Sequence, residues 1–315
     1  MFEFIIYRPL GFIIEQIYNL VQNYGWAIII FTIIVKLILL PLNIKSQKAM
    51  KKQQKIQPIL ADLRKKYAND NEKLQRETMK VYKENNISMM GGCLPMLIQF
   101  PILIGLYRVI QSPIKYLLRV DFNNAANLNK VSEIMSAMKD KFPDIIGKLA
   151  DSSPEQIVKT AQMQLSNWSK LVGDGKWSID FGFFGLDLSR NPMEAINAMM
   201  KGNFSDLATV LLILIPILAM FTTWFSMWQS QKMTAPAAGV DDSAAQMSKS
   251  MNMIMPLMTG FFAISLPAGL GIYWIAANIF QMAQQYFLNV YFSKKEDDFV
   301  VTVPEKNRKK GKKRK

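Results

Sequence analysis

Long uncharged stretches alternate with strongly charged segments along the chain. No charged residue occurs from Asn85 to Tyr107, from Leu207 to Gln231 or from Ser250 to Ser293. A helix that crosses the hydrocarbon core of a bilayer needs about 20 apolar residues. This segregation therefore predicts an all-α membrane protein with several spanning helices, and it argues against an ordinary globular domain.

Four spanning helices follow from these stretches, and a fifth follows from the apolar run at 25–44, which one charge, Lys36, interrupts. The last stretch would be about 66 Å long as a single helix, which is twice the thickness of a bilayer core. It contains the helix breaker Leu266-Pro267-Ala268-Gly269, and we expect it to fold as two helices joined by a tight turn. The predicted transmembrane bundle has spans at residues 25–44, 88–112, 207–230, 250–266 and 269–292.

The distribution of charge predicts the orientation of these spans. Residues 45–87 and the tail at 293–315 are rich in Lys and Arg, whereas basic and acidic residues balance in the segment 113–206. Lys and Arg in flanking segments favour the cytoplasmic side of a membrane. We therefore predict an extracytoplasmic N-terminus and a cytoplasmic C-terminus, with a further cytoplasmic loop at 231–249.

The flanking segments also carry helical patterns. Residues 1–24 predict an outer amphipathic helix that presents Glu15 on its polar face, although packing against the bundle fits the same pattern. Residues 45–87 predict a basic helical hairpin with little core of its own, because its apolar stripe is narrow. Within 113–206 we expect a helical insertion, followed by a partly extended stretch from Trp177 to Leu188.

The composition excludes several kinds of chemistry. Histidine is absent and Cys93 is the single cysteine. Zinc sites of the HExxH type, Ser-His nucleophile pairs, cysteine metal clusters and intrachain disulfides are therefore excluded. We expect no enzymatic activity, no metal and no cofactor.

Lys36 lies near the middle of the first predicted span. A charge at that depth costs about 2.5 to 3.5 kcal/mol on insertion scales, and the five spans contain no Asp or Glu with which it could pair. We therefore expect Lys36 to face a water-filled groove lined by neutral polar groups, although hydrogen bonding between helices is an alternative role for each polar side chain. The candidate groove residues are Lys36, Thr32, Gln99, Thr222, Ser226, Trp274, Asn278 and Gln281.

Several segments occur in an order that is typical of one family. They are the LLPL that follows Lys36, the basic hairpin, GGCLPMLIQFPILIGLYRVI, FFGLDLSRNP, MNMIMPLMTGFFAISLPAGLGIYWIAANIFQMAQQYF and a basic tail. With these segments in this order, most of the chain resembles the YidC/Oxa/Alb family of membrane protein insertases. The family usually has arginine at the position of Lys36, and residues 118–176 look like an insertion.

This resemblance implies a function and a set of partners. It implies a monomeric bundle in a bacterial cell membrane, whose hydrophilic groove passes nascent membrane proteins into the bilayer. The Sec translocon would be a partner for some substrates, and no cofactor would be needed.

The basic tail predicts binding to a polyanion. Anionic lipids and ribosomal RNA both fit its charge, and the resemblance favours the ribosome. The tail residues concerned are Arg308, Lys309, Lys310, Lys312, Lys313 and Arg314.

Two other classes of function remain open from the sequence alone. One is a solute transporter in which Lys36 binds an anion, although such proteins usually contain internal repeats and none is evident here. The other is an intramembrane hydrolase with Lys36 as the base and Ser226 or Ser265 as the nucleophile. No motif supports the hydrolase.

Overall fold

The computed structural model describes residues 6–88, 94–139, 152–164, 179–202, 207–234 and 242–294. This part of the chain is mainly helical, as the sequence predicts. Cys93 and the tail residues Arg308, Lys309, Lys310, Lys312, Lys313 and Arg314 lie outside the described residues. The elements are α1 (Arg8–Val21), α2 (Tyr24–Ile38), α3 (Leu40–Lys66), α4 (Asn71–Glu84), α5 (Leu94–Gln111), α6 (Pro113–Leu117), α7 (Ala125–Lys139), α8 (Pro154–Gln164), β1 (Gly182–Phe183), β2 (Leu186–Asp187), α9 (Pro192–Met200), α10 (Leu207–Leu212), α11 (Leu214–Thr234), α12 (Asp242–Ser265) and α13 (Ala268–Lys294).

The chain divides into two compact units, and α2, α5, α11, α12 and α13 each contribute residues to both. The first unit comprises Met1–Thr32, Pro101–Ile215 and Ala263–Tyr273. The second unit comprises Ile33–Phe100, Pro216–Phe262 and Trp274–Lys315.

In the first unit, α1 packs against α6. Gly11 permits this approach, because a Cβ atom at this position would lie only 3.1 Å from Cδ1 of Tyr116. Glu15 is 9% exposed, and its Oε2 lies 2.8 Å from Nε of Arg119. Glu15, which the sequence places on the polar face of α1, is thus buried, and an ion pair with a distant residue compensates its burial.

A short hairpin, β1 and β2, follows the insertion in the first unit. The strands pair antiparallel, with Gly182 opposite Asp187 and Phe183 opposite Leu186. The turn between them places both Phe184 and Gly185 at positive φ, 50° and 79°. Trp177, where the predicted extended stretch begins, lies outside the described residues.

The turn between α12 and α13 also belongs to the first unit. Pro267 has no N–H and separates the two helices. The first amides of α13 donate to carbonyl groups far away in sequence: Ala268 N to Arg190 O at 2.9 Å and Gly269 N to Leu188 O at 3.0 Å. These hydrogen bonds satisfy two of the four N–H groups that the start of a helix leaves without an internal partner.

A bend of 57° separates α2 from α3. The sequence predicts one span over residues 25–44, but α2 ends at Ile38 and Pro41 lies in the first turn of α3. Proline is favoured at the start of a helix because its missing N–H would have no helical partner there. The backbone hydrogen bond from Asn43 N to Leu39 O, 3.0 Å, continues across the bend.

In the second unit, α3 and α4 pack together as a helical hairpin. Asp70 caps the start of α4 by accepting a hydrogen bond from the backbone N–H of Lys73. We expected little core here, yet six residues form a buried cluster. They are Ile56, Leu60, Leu63, Val81, Tyr82 and Ile87.

One stretch of the described residues is long and apolar enough to cross a membrane by itself, namely Val210–Gln231. The bent pair α2 and α3 would be a second if it is taken as one span. Only 33% of the most apolar window in Val210–Gln231 is buried, whereas the core helix of a soluble protein would be mostly buried. The five predicted spans stay a prediction.

Candidate functional site

Lys36 lies on α2 and is partly buried. Within the described part of the chain, its ammonium group takes part in no hydrogen bond or ion pair. Thr32 precedes it by one helical turn and is 1% exposed. The Thr32 hydroxyl donates to the carbonyl oxygen of Ile28 at 2.7 Å, so its hydrogen bond is made within α2.

A polar contact joins α11 to α13 in the second unit. The Nδ2 group of Asn278 donates to Oγ1 of Thr223 at 2.8 Å and to Oγ1 of Thr222 at 3.2 Å. The threonine hydroxyls donate in turn to carbonyl groups of α11 one turn earlier, Thr223 to Ala219 O and Thr222 to Leu218 O. The structure thus brings together two of the predicted groove residues, Asn278 and Thr222.

The other predicted residues of the second unit occupy nearby positions on the same helices. Ser226 is buried on α11, one turn after Thr222. Trp274 and Gln281 are partly buried on α13, on either side of Asn278 in sequence, and Gln99 is partly buried on α5. Lys36 makes no hydrogen bond to Asn278 or Thr222.

Further polar contacts in the second unit were not predicted. Gln229 Nε2 donates to the carbonyl oxygen of Met282 at 3.1 Å, and Asn43 Nδ2 lies 3.5 Å from Oε1 of Gln284. Gln229 lies seven residues after Thr222, two turns along the same face of α11, and this spacing could have identified it. Three buried atoms of these helices have no hydrogen-bond partner among the described residues: Gln229 Oε1, Gln284 Nε2 and Gln285 Oε1.

Polar atoms that are buried without a partner are costly and rare. Such atoms are satisfied when water or another polar molecule reaches them. This part of α11 and α13 can therefore accept and donate hydrogen bonds beyond those it makes internally.

Another side of α11 is apolar and carries exposed aromatic residues. Phe221, Trp224, Phe225 and Trp228 are exposed, and the ring centroids of Phe225 and Trp228 are 5.4 Å apart. Large exposed apolar patches indicate contact with lipid or another protein. The helix thus has a polar side toward α13 and a side whose aromatic rings are 37 to 55% exposed.

Comparisons with known proteins give a consistent result. Residues 16–295 match the sequence model of a family described as 60Kd inner membrane protein. A protein named membrane protein insertase YidC from Clostridium perfringens is 32% identical over 94% of this chain and 91% of its own length. Its namesake from Caldanaerobacter subterraneus is 31% identical over 88% of this chain and 90% of its own length. Another from Nitratidesulfovibrio vulgaris strain DP4 is 29% identical over 90% of this chain, but over only 38% of its own length.

Proposed function

Because the chain belongs to the 60Kd inner membrane protein family, whose similar members are named membrane protein insertases, we propose that it receives nascent membrane proteins in a polar groove. It then passes their hydrophobic segments into the lipid bilayer. The family is one of insertases rather than enzymes, so this function rests on binding and release without covalent chemistry.

The topology that we propose has five spans, an outer N-terminus and an inner C-terminus. Residues 45–87 and 293–315 then lie in the cytoplasm, in agreement with their excess of Lys and Arg. The exposed aromatic side of α11 would contact lipid. Cysteine scanning with a membrane-impermeant thiol reagent, in a background without Cys93, tests this arrangement one loop at a time.

The observation that carries the proposal is the polar contact between α11 and α13, where Asn278 meets Thr222 and Thr223. These side chains are uncharged and lie on helices that are otherwise largely apolar. Lys36 adds a cationic group that is neither hydrogen-bonded nor ion-paired among the described residues. A groove with this lining holds water, since every group in it can bond to water.

The energetics of insertion explain what such a groove does. A hydrophilic tail that crosses hydrocarbon loses its hydration, and each polar group without a new partner costs several kcal/mol, of the order of 2 to 7. A groove of water and neutral polar side chains that reaches partway across shortens the dry part of the path. Lys36 attracts acidic or carbonyl-rich tails, and release follows when the hydrophobic segment partitions into lipid.

Substitution of Lys36 tests the role of the charge. Lys36→Arg should retain insertion of single-span substrates with acidic tails into liposomes, whereas Lys36→Ala should lose it. Substrates with uncharged tails are the matched control and should be affected much less. Full activity of Lys36→Ala on acidic tails would contradict the proposed role of the lysine.

Cross-linking tests which face of α13 meets the substrate. A photo-activatable residue at Gln281 should capture a ribosome-stalled nascent chain, and the same residue at Ile279 is the control. Ile279 is 54% exposed and lies about 200° around α13 from Gln281, on the opposite face of the helix. Equal capture at both positions would refute the assigned face.

The remaining partners are proposed from the charge pattern and the family. We propose that the insertase works as a monomer, alone or with the Sec translocon, and that the basic tail binds the ribosome. Removal of Lys306 to Lys315 should weaken co-sedimentation with ribosomes in detergent, where anionic lipids cannot compete. Unchanged co-sedimentation would assign ribosome binding to the hairpin at 45–87 and leave the tail to bind anionic lipids.

A further inference from the structure

A cavity of about 510 Å³ lies in the first unit, between α1, α6 and the loop that follows α6. Two aromatic side chains, Phe12 and Tyr116, contribute apolar surface to it. Three basic and two acidic side chains also line it, so its walls carry a net positive charge. The charged residues are Arg8, Glu15, Lys115, Arg119 and Asp121.

Both acidic groups of the cavity are already engaged. Glu15 Oε2 accepts a hydrogen bond from Arg119 Nε at 2.8 Å. Asp121 Oδ1 accepts two hydrogen bonds from Asn123, from its backbone N–H at 2.9 Å and from its side-chain amide at 3.0 Å. The carboxylates therefore hold the walls in place, while Arg8 and Lys115 add positive charge.

Two side-chain contacts orient the guanidinium of Arg119, and its backbone adopts an uncommon conformation. Its backbone has a φ of 52°, a left-handed conformation after the end of α6 that glycine or asparagine would adopt more easily. Its guanidinium carbon lies 5.5 Å from the ring centroid of Phe12. Its Nε is bonded to Glu15, while Nη1 and Nη2 make no hydrogen bond within the described residues.

A guanidinium fixed on one edge, with its other donors unoccupied, matches two oxygens of a phosphate group. We propose that this cavity binds the phosphate of a phospholipid headgroup, with Arg119 as the principal ligand and Arg8 and Lys115 as supporting charges. This site is separate from the proposed groove and does not depend on it.

The choice of a phospholipid over free phosphate rests on the apolar surroundings of the cavity. On α1, Phe12 lines the cavity and is 52% exposed, and Leu20, two turns further along the helix, is 83% exposed. A helix with large exposed apolar residues beside cationic ones is typical of a bilayer surface. Acyl chains attached to the bound headgroup would cover this surface, whereas inorganic phosphate would leave it in water.

The test compares lipid binding by variants that keep the fold. In the double variant Glu15→Gln/Arg119→Asn, asparagine tolerates the left-handed backbone and no buried carboxylate loses its partner. Glu15→Gln alone is the matched control, since it retains the guanidinium. Native mass spectrometry of the full chain in neutral detergent should show that wild type and Glu15→Gln retain phosphatidylglycerol. The double variant should bind phosphatidylglycerol at least about tenfold more weakly, because two charge-assisted hydrogen bonds are lost.

Two further arms complete the test. Diacylglycerol, which lacks the phosphate, should not be retained, and millimolar inorganic phosphate should not displace phosphatidylglycerol. Displacement by inorganic phosphate would overturn the lipid assignment in favour of a simple anion site. Equal retention of phosphatidylglycerol by the double variant and the control, at similar thermal unfolding midpoints, would overturn the proposal itself.

Discussion

Close packing at Gly271 leads to a sharp prediction about stability. A Cβ atom on this residue of α13 would overlap the Cγ2 methyl of Ile215 on α11, while the next nearest atom, Ile215 Cβ, would be 3.7 Å away. The conflict in Gly271→Ala is therefore with one methyl group. Inserting a methyl into a packed interior costs about 1 to 3 kcal/mol, and we expect the free energy of unfolding to fall by that amount.

The position of the conflicting methyl group predicts which second substitution relieves it. Ile215→Leu moves the branch from Cβ to Cγ and removes the Cγ2 methyl, so it should restore much of the stability lost in Gly271→Ala. Ile215→Val keeps both γ carbons and is the matched control, which should restore little. Rescue by leucine and not by valine would appear as a positive coupling energy in a double-mutant cycle.

The measurement is denaturant unfolding of the purified protein in detergent, followed by tryptophan fluorescence. The chain contains six tryptophans, so the signal is strong without a label. Gly271→Ala at wild-type stability would refute the reasoning, since α11 and α13 would then not be in close contact at this level. Equal rescue by leucine and valine would refute the assignment of the conflict to Cγ2.

Three other substitutions have expected outcomes. Asn278→Leu should lower the free energy of unfolding by roughly 1 kcal/mol, because hydrogen bonds between helices in membranes average about 0.6 kcal/mol each and Asn278 makes two. A higher free energy of unfolding in the same assay would show that these bonds do not stabilise the protein. Leu63→Ala should weaken the hairpin by about 2 to 5 kcal/mol, and hydrogen exchange should speed up in α3 and α4 but not in α13. Phe184→Gly should raise stability by roughly 1 kcal/mol, because the left-handed backbone is costly for phenylalanine and Phe184 is 80% exposed. A lower unfolding midpoint would show instead that the contacts of its ring with Trp26 and Phe183 outweigh the strain.

Local signals in the sequence account for much of the fold. Pro267 and the glycines after it predict the turn between α12 and α13, because proline cannot continue the hydrogen-bond pattern of the preceding helix. The mainly helical character follows from the long apolar runs. The matched family confirms the resemblance that those segments carry. Polar residues on largely apolar helices can also be predicted to lie near each other, as the hydrogen bond between Asn278 and Thr222 illustrates.

Features that depend on distant partners could not be predicted in the same way. Glu15 has a polar side chain on a helix surface, and only the tertiary contact with Arg119 explains its burial. The spacing from Thr222 marks Gln229 but not its partner, because Gln229 donates to the backbone carbonyl of Met282 and every residue has such an acceptor. Pro41 indicates a helix start, but it does not predict the size of the bend before it, which is 57°.

The hydrogen bonds at the start of α13 have a consequence for the order of assembly. Their acceptors, the carbonyls of Leu188 and Arg190, precede the donors Ala268 and Gly269 by a long stretch of chain. A ribosome synthesises the acceptors first, and chains begin to fold from the N-terminal side during synthesis. The residues around Leu188 are thus synthesised, and can begin to fold, before α12 and α13 leave the ribosome. The pair α12 and α13 therefore closes onto backbone carbonyls that the earlier part of the chain has already provided.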